Sequence, residues 1–383
     1  QVKCTLPDYQ SYKNCIFRNF LTKIDMNGVF IFKLGEGYLP KLLMTWGKCL
    51  IADLFCGPGK NGKENGSPLI LLERLDYILS SDQLKKKSDK KVYVLFNEQD
   101  DSLVKNLNEN LNKINYDKSI IDIRVKNEKY EKLLPDLIRI PEKQKIPKFF
   151  FLDPFTYSNV KLSHLKELMN LSNPEVLLFI PIFHSYRFSN VQIYNETHLT
   201  RVFIEEFTSK GMYNYENVYD FMDSIKEKLS KELNVPYVRY VLIDGGGSKN
   251  ALFLLTKHQK GMLLMNKIAF KKTNDGKSIK IKTESVGNLF EIKETSVIFE
   301  QFKEELKEYI KKENTTNCDI VDFTIKKGLL PKHAKENLVN LHKANCIKVF
   351  DENQIEIHNN LKWNIADELS KTTYFKWQGD EKN

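Results

Sequence analysis

Ile51-Ala52-Asp53-Leu54-Phe55-Cys56-Gly57-Pro58-Gly59 is an apolar run that ends in an acid and passes straight into a Gly-x-Gly turn. A β-strand that finishes this way lets the backbone approach a ligand beyond its carboxyl end, because glycine carries no side chain to hold the ligand off. Gly62 stands three residues after Gly59, yet no helix-forming stretch follows at once. The string therefore departs from the G-x-G-x-x-G form of dinucleotide sites. A purely structural turn and a site for another adenine nucleotide, nicotinamide cofactors included, remain alternatives at this point.

Outward from that turn, short apolar β-branched runs alternate with longer amphipathic stretches from Lys48 to Thr256, the mark of a parallel sheet flanked by helices. The pattern predicts strands at Cys49 to Leu54, Val92 to Phe96, Ile120 to Val125, Phe149 to Leu152, Val176 to Ile180, Tyr237 to Ile243 and Ala251 to Thr256. Crossover helices fit at Leu69 to Leu79, Asp101 to Lys113 and Leu162 to Leu171. Only Asp244 to Asn250, with Gly245, Gly246, Gly247 and Ser248, separates the last two strands, so they should form an antiparallel hairpin. Crossovers followed by a final reversed strand resemble the Rossmann-like seven-stranded α/β sheet of S-adenosylmethionine-dependent methyltransferases. Asp53 to Gly59 likewise fits their D-x-F-x-G-x-G pattern.

The spacing divides the chain into an N-terminal extension over 1–45, a sheet domain over 46–270 with a helical insertion at 181–236, a basic linker over 271–295, and a C-terminal domain over 296–383. The extension holds Tyr9, Tyr12, Phe17, Phe20, Phe30, Phe32 and Tyr38 with no pattern beyond packing. In the C-terminal domain, Ile298, Phe299, Phe302, Leu306, Tyr309 and Ile310 recur at helical spacing within Ser296 to Lys312. A short helix from Asp319 to Lys326 stops at Gly328, and Pro331 opens a longer one to Ala344. Strands Ile347 to Phe350 and Gln354 to His358, joined by Asp351, Glu352 and Asn353, complete the order of a winged helix domain. Its lysines are balanced by acids, so protein-binding or capping roles stand beside DNA reading.

On the parallel-sheet reading, ligand-binding groups gather at the carboxyl ends of the strands. Asp53, Phe55, Gly57 and Gly59 form the first turn; Glu98 ends the second strand, where a carboxylate can accept both ribose hydroxyls of a nucleoside; Asn127 follows the third, in reach of an adenine. Asp153, Pro154 and Phe155 end the fourth. A D/N-P-P-Y/F motif fills that place in methyltransferases that modify base nitrogens: oxygen acceptors orient the amine and the aromatic ring stacks on the base. One proline, rather than two, separates Asp153 from Phe155, and a strand-ending Asp-Pro turn is the plain structural alternative. His184 and Arg187 could face the same pocket; Ser67 and Pro68 read as a helix N-cap and first-turn residue. Cys56 has nothing beside it to make it a nucleophile.

Asp53 to Gly59, Gly66-Ser67-Pro68, Asp153-Pro154-Phe155 and the run Phe253 to Met265 together resemble the three-Cys-motif partner protein (TcmP) family over Lys48 to Phe270. The resemblance implies a methyltransferase-like sheet, S-adenosylmethionine as cofactor, and a partner protein with a three-cysteine, radical-SAM-type iron-sulfur site. It leaves the substrate open.

Composition narrows the field further. The chain has 383 residues, 41% hydrophobic and 28% charged, with 12 prolines and 17 glycines, which excludes collagenous or broadly disordered architectures. No run of about 18 uncharged apolar residues occurs and no signal-peptide order opens the sequence, so a cytoplasmic protein that spans no membrane is expected. Six scattered cysteines without a C-x-x-C pair point to reduced thiols and no metal. The net charge is +9, and eight lysines against Asp275 between Lys257 and Lys282 concentrate it. Lys257, Lys271, Lys272 and Lys277, with Lys332 and Lys335 of the C-terminal domain, are the candidate contacts to DNA or RNA. A solvated face is the bland reading. The sequence thus supports a cofactor-dependent methyltransferase acting on nucleic acid, base N-methylation being the reaction its motif suggests, or a non-catalytic nucleic-acid or protein adaptor on the same scaffold.

Overall fold

The computed structural model describes residues 39–62, 64–80, 84, 90–139, 145–154, 159–191, 197–244, 249–273, 275–280, 291–312, 315–366 and 371–379. They fall in two compact units: one runs to Lys257 and takes in Ile279 and Lys280, the other comprises His258–Ser278 and the chain from Glu291 on.

In the first unit the sheet strands are β1 (Lys48–Asp53), β2 (Lys91–Asn97), β3 (Ile121–Lys126), β4 (Lys148–Leu152), β5 (Pro174–Pro181), β6 (Tyr237–Asp244), β7 (Lys249–Thr256) and β8 (Ser278–Lys280), in the order β8-β6-β7-β5-β4-β1-β2-β3. Ladders β1–β2, β1–β4, β2–β3 and β4–β5 are parallel, whereas β7 runs antiparallel to both β5 and β6. The mostly parallel α/β sheet and its reversed hairpin are as expected; its eight strands are not, since the sequence pointed to seven. Ser278–Lys280, in the stretch read as a linker, extends the sheet at its edge. It is three residues long, too short to display alternation, and lysines are ordinary on an edge strand. The Asp275 carboxylate turns the chain into it by accepting the N–H groups of Lys277 and Ser278 at 2.8 and 3.3 Å.

The central strands are buried on both faces, which is why they read as unbroken apolar runs. On one face Leu50, Ala52, Phe150, Leu152, Leu178, Ile180 and Phe253 share a core with helices Tyr130–Arg139 and Leu162–Met169. The insertion is helical, with helices Phe183–Phe188, Leu199–Phe207 and Val218–Leu233. Phe203, Ile204, Phe207, Phe221, Met222, Ile225 and Leu229 join that same core, each such side chain stabilising the fold by roughly 1.5–3 kcal/mol on burial. Helices Leu39–Trp46, Ser67–Leu79 and Asp101–Leu111 cover the other face over β1 and β2.

The second unit gathers helix Gln259–Lys272, which the sequence reading had placed in the sheet domain, with helices Glu291–Lys311, Asn317–Lys326 and Pro331–Lys343. Asn266 ties the first of these to the third by donating to the carbonyls of Ile325 and Leu329 at 2.9 and 3.1 Å. A small antiparallel sheet has the order β9 (Thr315–Thr316), β11 (Tyr374–Trp377), β10 (Ile347–Phe350). The partner of β10 is thus Tyr374–Trp377. The expected strand at Gln354 to His358 makes one isolated bridge, Phe350 to Glu356. Its alternation misleads because Ile355 is 62% exposed, while Phe375 in the true partner is fully buried.

Candidate functional site

Beyond β1 the backbone is held from two sides. Leu54 N–H donates to Phe151 O at 3.1 Å on β4, and Cys56 N–H to Asn97 O at 2.9 Å on β2. Gly57 then takes φ +64° and Gly59 φ +77°, the left-handed region that favours glycine. A Cβ on Gly59 would meet Leu107 Cδ1 of helix Asp101–Leu111 at 3.0 Å, so close packing also demands glycine there. Around Gly57 the requirement differs: nothing lies within 4 Å of a built Cβ. Helix Ser67–Leu79 begins after a short ladder at Lys60–Asn61 and Glu64–Asn65, and Gly66, not Ser67, is its N-cap. The Ser67 hydroxyl instead donates to Asp53 Oδ2 at 2.6 Å, while Phe55 N–H donates to Asp53 Oδ1 at 3.3 Å.

Glu98 sits half-buried just past β2. Gly57 N–H donates to its Oε2 and Asp100 N–H to its Oε1, both at 3.1 Å. Each carboxylate oxygen can accept a second bond, so this side chain is aimed by the backbone and still has acceptor capacity. Asn127 is exposed, and its Nδ2 donates to Glu98 O at 3.0 Å, bracing the same residue from β3. Phe55 packs on the ring of Tyr130, centroids 5.2 Å apart. The Cys56 thiol is pushed well up from its ordinary value by burial first, then by the charges of Asp53 and Glu98, and is no nucleophile at neutral pH.

An open space beside a positive-φ glycine, next to an aimed carboxylate at the end of the second strand, fits the ribose edge of an adenosyl group. Glu98 and Gly57 would hold it. Asp53, 3% exposed, stands behind them and fixes the turn to the helix.

Comparisons with known proteins come to the following. No protein-family model matches the chain, and no curated protein does. A solved Legionella pneumophila protein aligns at 14% identity and TM-score 0.33, covering 60% of this chain and 86% of its own. The N-terminal domain of human METTL16, in complex with SAH, aligns at 12% and 0.30 over 65% and 82%; a Pyrococcus furiosus methyltransferase does so at 12% and 0.26 over 57% and 81%. Likeness of this size bears on neither substrate nor chemistry. The strand order itself makes the sheet similar to that of S-adenosylmethionine-dependent methyltransferases.

The other expected site residues lie as follows. Asp153 and Pro154 directly follow β4, and both are buried, Asp153 to 6% exposure. Phe155 is outside the described residues, as are Cys4 and Cys15. Cys49, Cys56, Cys318 and Cys346 are free thiols, and among the described residues no group of His, Cys, Asp and Glu could hold a metal. Lys257 is exposed at the end of the first unit; Lys271, Lys272, Lys277, Lys332 and Lys335 belong to the second, where Lys271 and Lys332 are exposed, Lys277 and Lys335 are half-buried, and Lys272 is described only as helical backbone. No helix of the described residues is long and apolar enough to cross a membrane.

Sequence reasoning missed Asn97. Its Nδ2 donates to Leu54 O at 3.2 Å and to Glu128 O at 3.0 Å, stapling the loops after β1 and β3. An asparagine closing the apolar run Val92 to Phe96, beside Glu98, was the available signal.

Proposed function

We propose that the chain is an S-adenosylmethionine-binding, methyltransferase-like protein that acts on nucleic acid, with a base nitrogen as methyl acceptor. The observation that carries the reading is the junction of Gly57 and Glu98, where the Gly57 N–H donates to the Glu98 carboxylate and nothing lies within 4 Å of a Cβ built on that glycine. When bound, the cofactor would supply an electrophilic methyl group. Glu98 would accept from the ribose hydroxyls, and Asn127 would keep Glu98 in place. Asp153 would accept from the amine to be methylated and orient its lone pair, Pro154 O would take the second N–H, and Phe155 would stack on the base.

The finer parts of the proposal concern the second unit and the partner. Helix, strand, two helices and two strands suit a winged helix, whose Lys332 and Lys335, together with Lys257, Lys271, Lys272 and Lys277, would guide a polyanion. The TcmP resemblance adds a radical-SAM-type partner with a three-cysteine site.

Calorimetry with S-adenosylmethionine should give binding to the wild type and a loss of at least about tenfold in Glu98→Ala, a removed charge-assisted bond being worth roughly 1.5–3 kcal/mol. Methyl transfer from labelled cofactor to DNA and RNA should vanish in Asp153→Ala. A wild type that binds no cofactor ends the proposal.

One observation favours the second reading, a non-catalytic adaptor: Asp53 and Asp153 are both at least nine-tenths buried, and Asp53 is engaged by Ser67 and Phe55. Cofactor binding without transfer to any nucleic acid would select it.

A further inference from the structure

Tyr130 opens the helix that follows β3, and it is 3% exposed. Its hydroxyl is buried and, among the described residues, has no hydrogen-bond partner. A buried hydroxyl left unbonded works against the fold, so a native protein that keeps one calls for a reason. Packing is not that reason, because a phenylalanine ring would fill nearly the same space without the oxygen. Burial first, then the charges of Glu167 and Glu131, pushes the phenol up from its ordinary value. The oxygen therefore keeps its proton and stands as a donor at neutral pH.

The rings around it come from the carboxyl ends of three strands. Phe55, two residues past β1, packs on the Tyr130 ring with centroids 5.2 Å apart. His164 meets the same ring in a T-shaped contact at 5.3 Å, and it stands in the first turn of helix Leu162–Met169, which follows β4. Its Nδ1 accepts Lys161 N–H at 3.3 Å, and burial first, then the charge of Lys161, holds its pKa down. The neutral imidazole thus carries its hydrogen on Nε2, a second donor beside the phenol. Phe55 and His164 are both half-buried, so the cluster borders the surface.

Charge narrows what the cluster would take. Glu131 and Glu167 act on both Tyr130 and His164, and Glu206, whose Oε1 accepts Leu162 N–H at 2.6 Å, acts on His164. These acids disfavour a phosphate or a carboxylate. A neutral flat heterocycle with an acceptor atom escapes that repulsion and suits the aromatic walls.

We propose that Tyr130, flanked by Phe55 and His164, is a specificity residue whose hydroxyl donates to a ring nitrogen or carbonyl of a nucleobase. The inference rests on the nucleoside-binding reading above and deepens it. Asn127, the residue placed by its position in reach of an adenine, spends its Nδ2 on Glu98 O, which leaves the heterocycle to another side chain. The adenine of the cofactor and the methyl-accepting base both carry such an acceptor. Because the hydroxyl is covered, the base reaches it as one of the half-buried rings, Phe55 or His164, turns aside.

The test sets full-length wild type beside Tyr130→Phe, which keeps the ring and removes only the oxygen. With no internal bond to lose, the variant should melt at or above the wild-type temperature. Calorimetry with S-adenosylhomocysteine reads the adenine, and fluorescence anisotropy with labelled DNA and RNA strands of about 12 nucleotides, all four bases present, reads the substrate base. Tyr130→Phe should weaken one of the two by about fivefold or more, and the ligand that suffers identifies the source of the base. Both affinities unchanged, or a wild type that binds neither ligand, overturns the assignment. So does a lower melting temperature, which would mean that the hydroxyl is bonded within the fold. Wild-type cofactor binding that Tyr130→Phe leaves intact, with strand binding also intact, sinks the Tyr130 role alone. Strand binding that the variant weakens, in a wild type that ignores the cofactor, sinks the methyltransferase reading alone.

Discussion

Asp53 shows how a residue can be singled out in the sequence while its partners stay hidden. As the acid before a glycine turn it looks like a ligand group, yet its oxygens are taken by the Ser67 hydroxyl and Phe55 N–H. Ser67 looks like a cap, yet Gly66 is the cap and Ser67 joins strand end to helix start. Linear spacing could not reveal a bond between positions fourteen apart whose geometry depends on the intervening ladder. Removing that hydroxyl leaves a buried carboxylate short of a donor. Ser67→Ala should therefore lower stability by about 1.5–3 kcal/mol; an unchanged urea midpoint would show that the bond holds nothing. Glu98 was legible for the opposite reason, since a strand-terminal acid is placed by its own strand.

At the scale of elements, periodicity found what burial enforces. Six of the long strands were visible as apolar runs buried on both faces, and β3 by the alternation of Ile121, Ile123 and Val125 with Asp122, Arg124 and Lys126. The three-residue edge strand was not, being too short for a period to register, and β11, no shorter than β10, was passed over for the nearer alternation at Gln354 to His358. Helix Pro331–Lys343 offers a test of packing. His333 lies between Phe270 and Phe299, 4.9 Å from each ring centroid, and its Nδ1 accepts Leu330 N–H at 3.1 Å. Burial first, then Lys332, holds its pKa down at about 4, against 6.5 ordinarily. Between those values the unfolded chain binds a proton that the folded one refuses. Stability should therefore fall as pH drops from about 6.5 to about 4 and level off below, with a slope from this group of at most about 1.4 kcal/mol per pH unit. Thermal unfolding of wild type against His333→Gln across that range checks it: equal slopes would exonerate the imidazole.

For the whole molecule, the chain crosses between the two units more than once, a path that sequence order does not display. Helix Gln259–Lys272 continues directly from the sheet domain in sequence, and only its long-range contacts assign it to the second unit. A chain ended at Lys257 would keep β1 to β7 but lose β8, leaving β6 as an unprotected sheet edge. Such a truncation should self-associate at concentrations where the full chain does not, as sedimentation would show; a well-behaved truncated monomer would mean that the edge strand gives no protection.

The same excursion has a consequence during synthesis. Met262, Leu263, Met265, Ile268 and Ala269 leave the ribosome before the strand Ser278–Lys280 that caps the first sheet, and well before helices Asn317–Lys326 and Pro331–Lys343 that share their unit. For the time it takes to translate some tens of residues, the nascent chain carries a greasy helix without those companions, and for the first part of that time a sheet not yet closed at its rim. That interval is when a chaperone has most to offer this polypeptide.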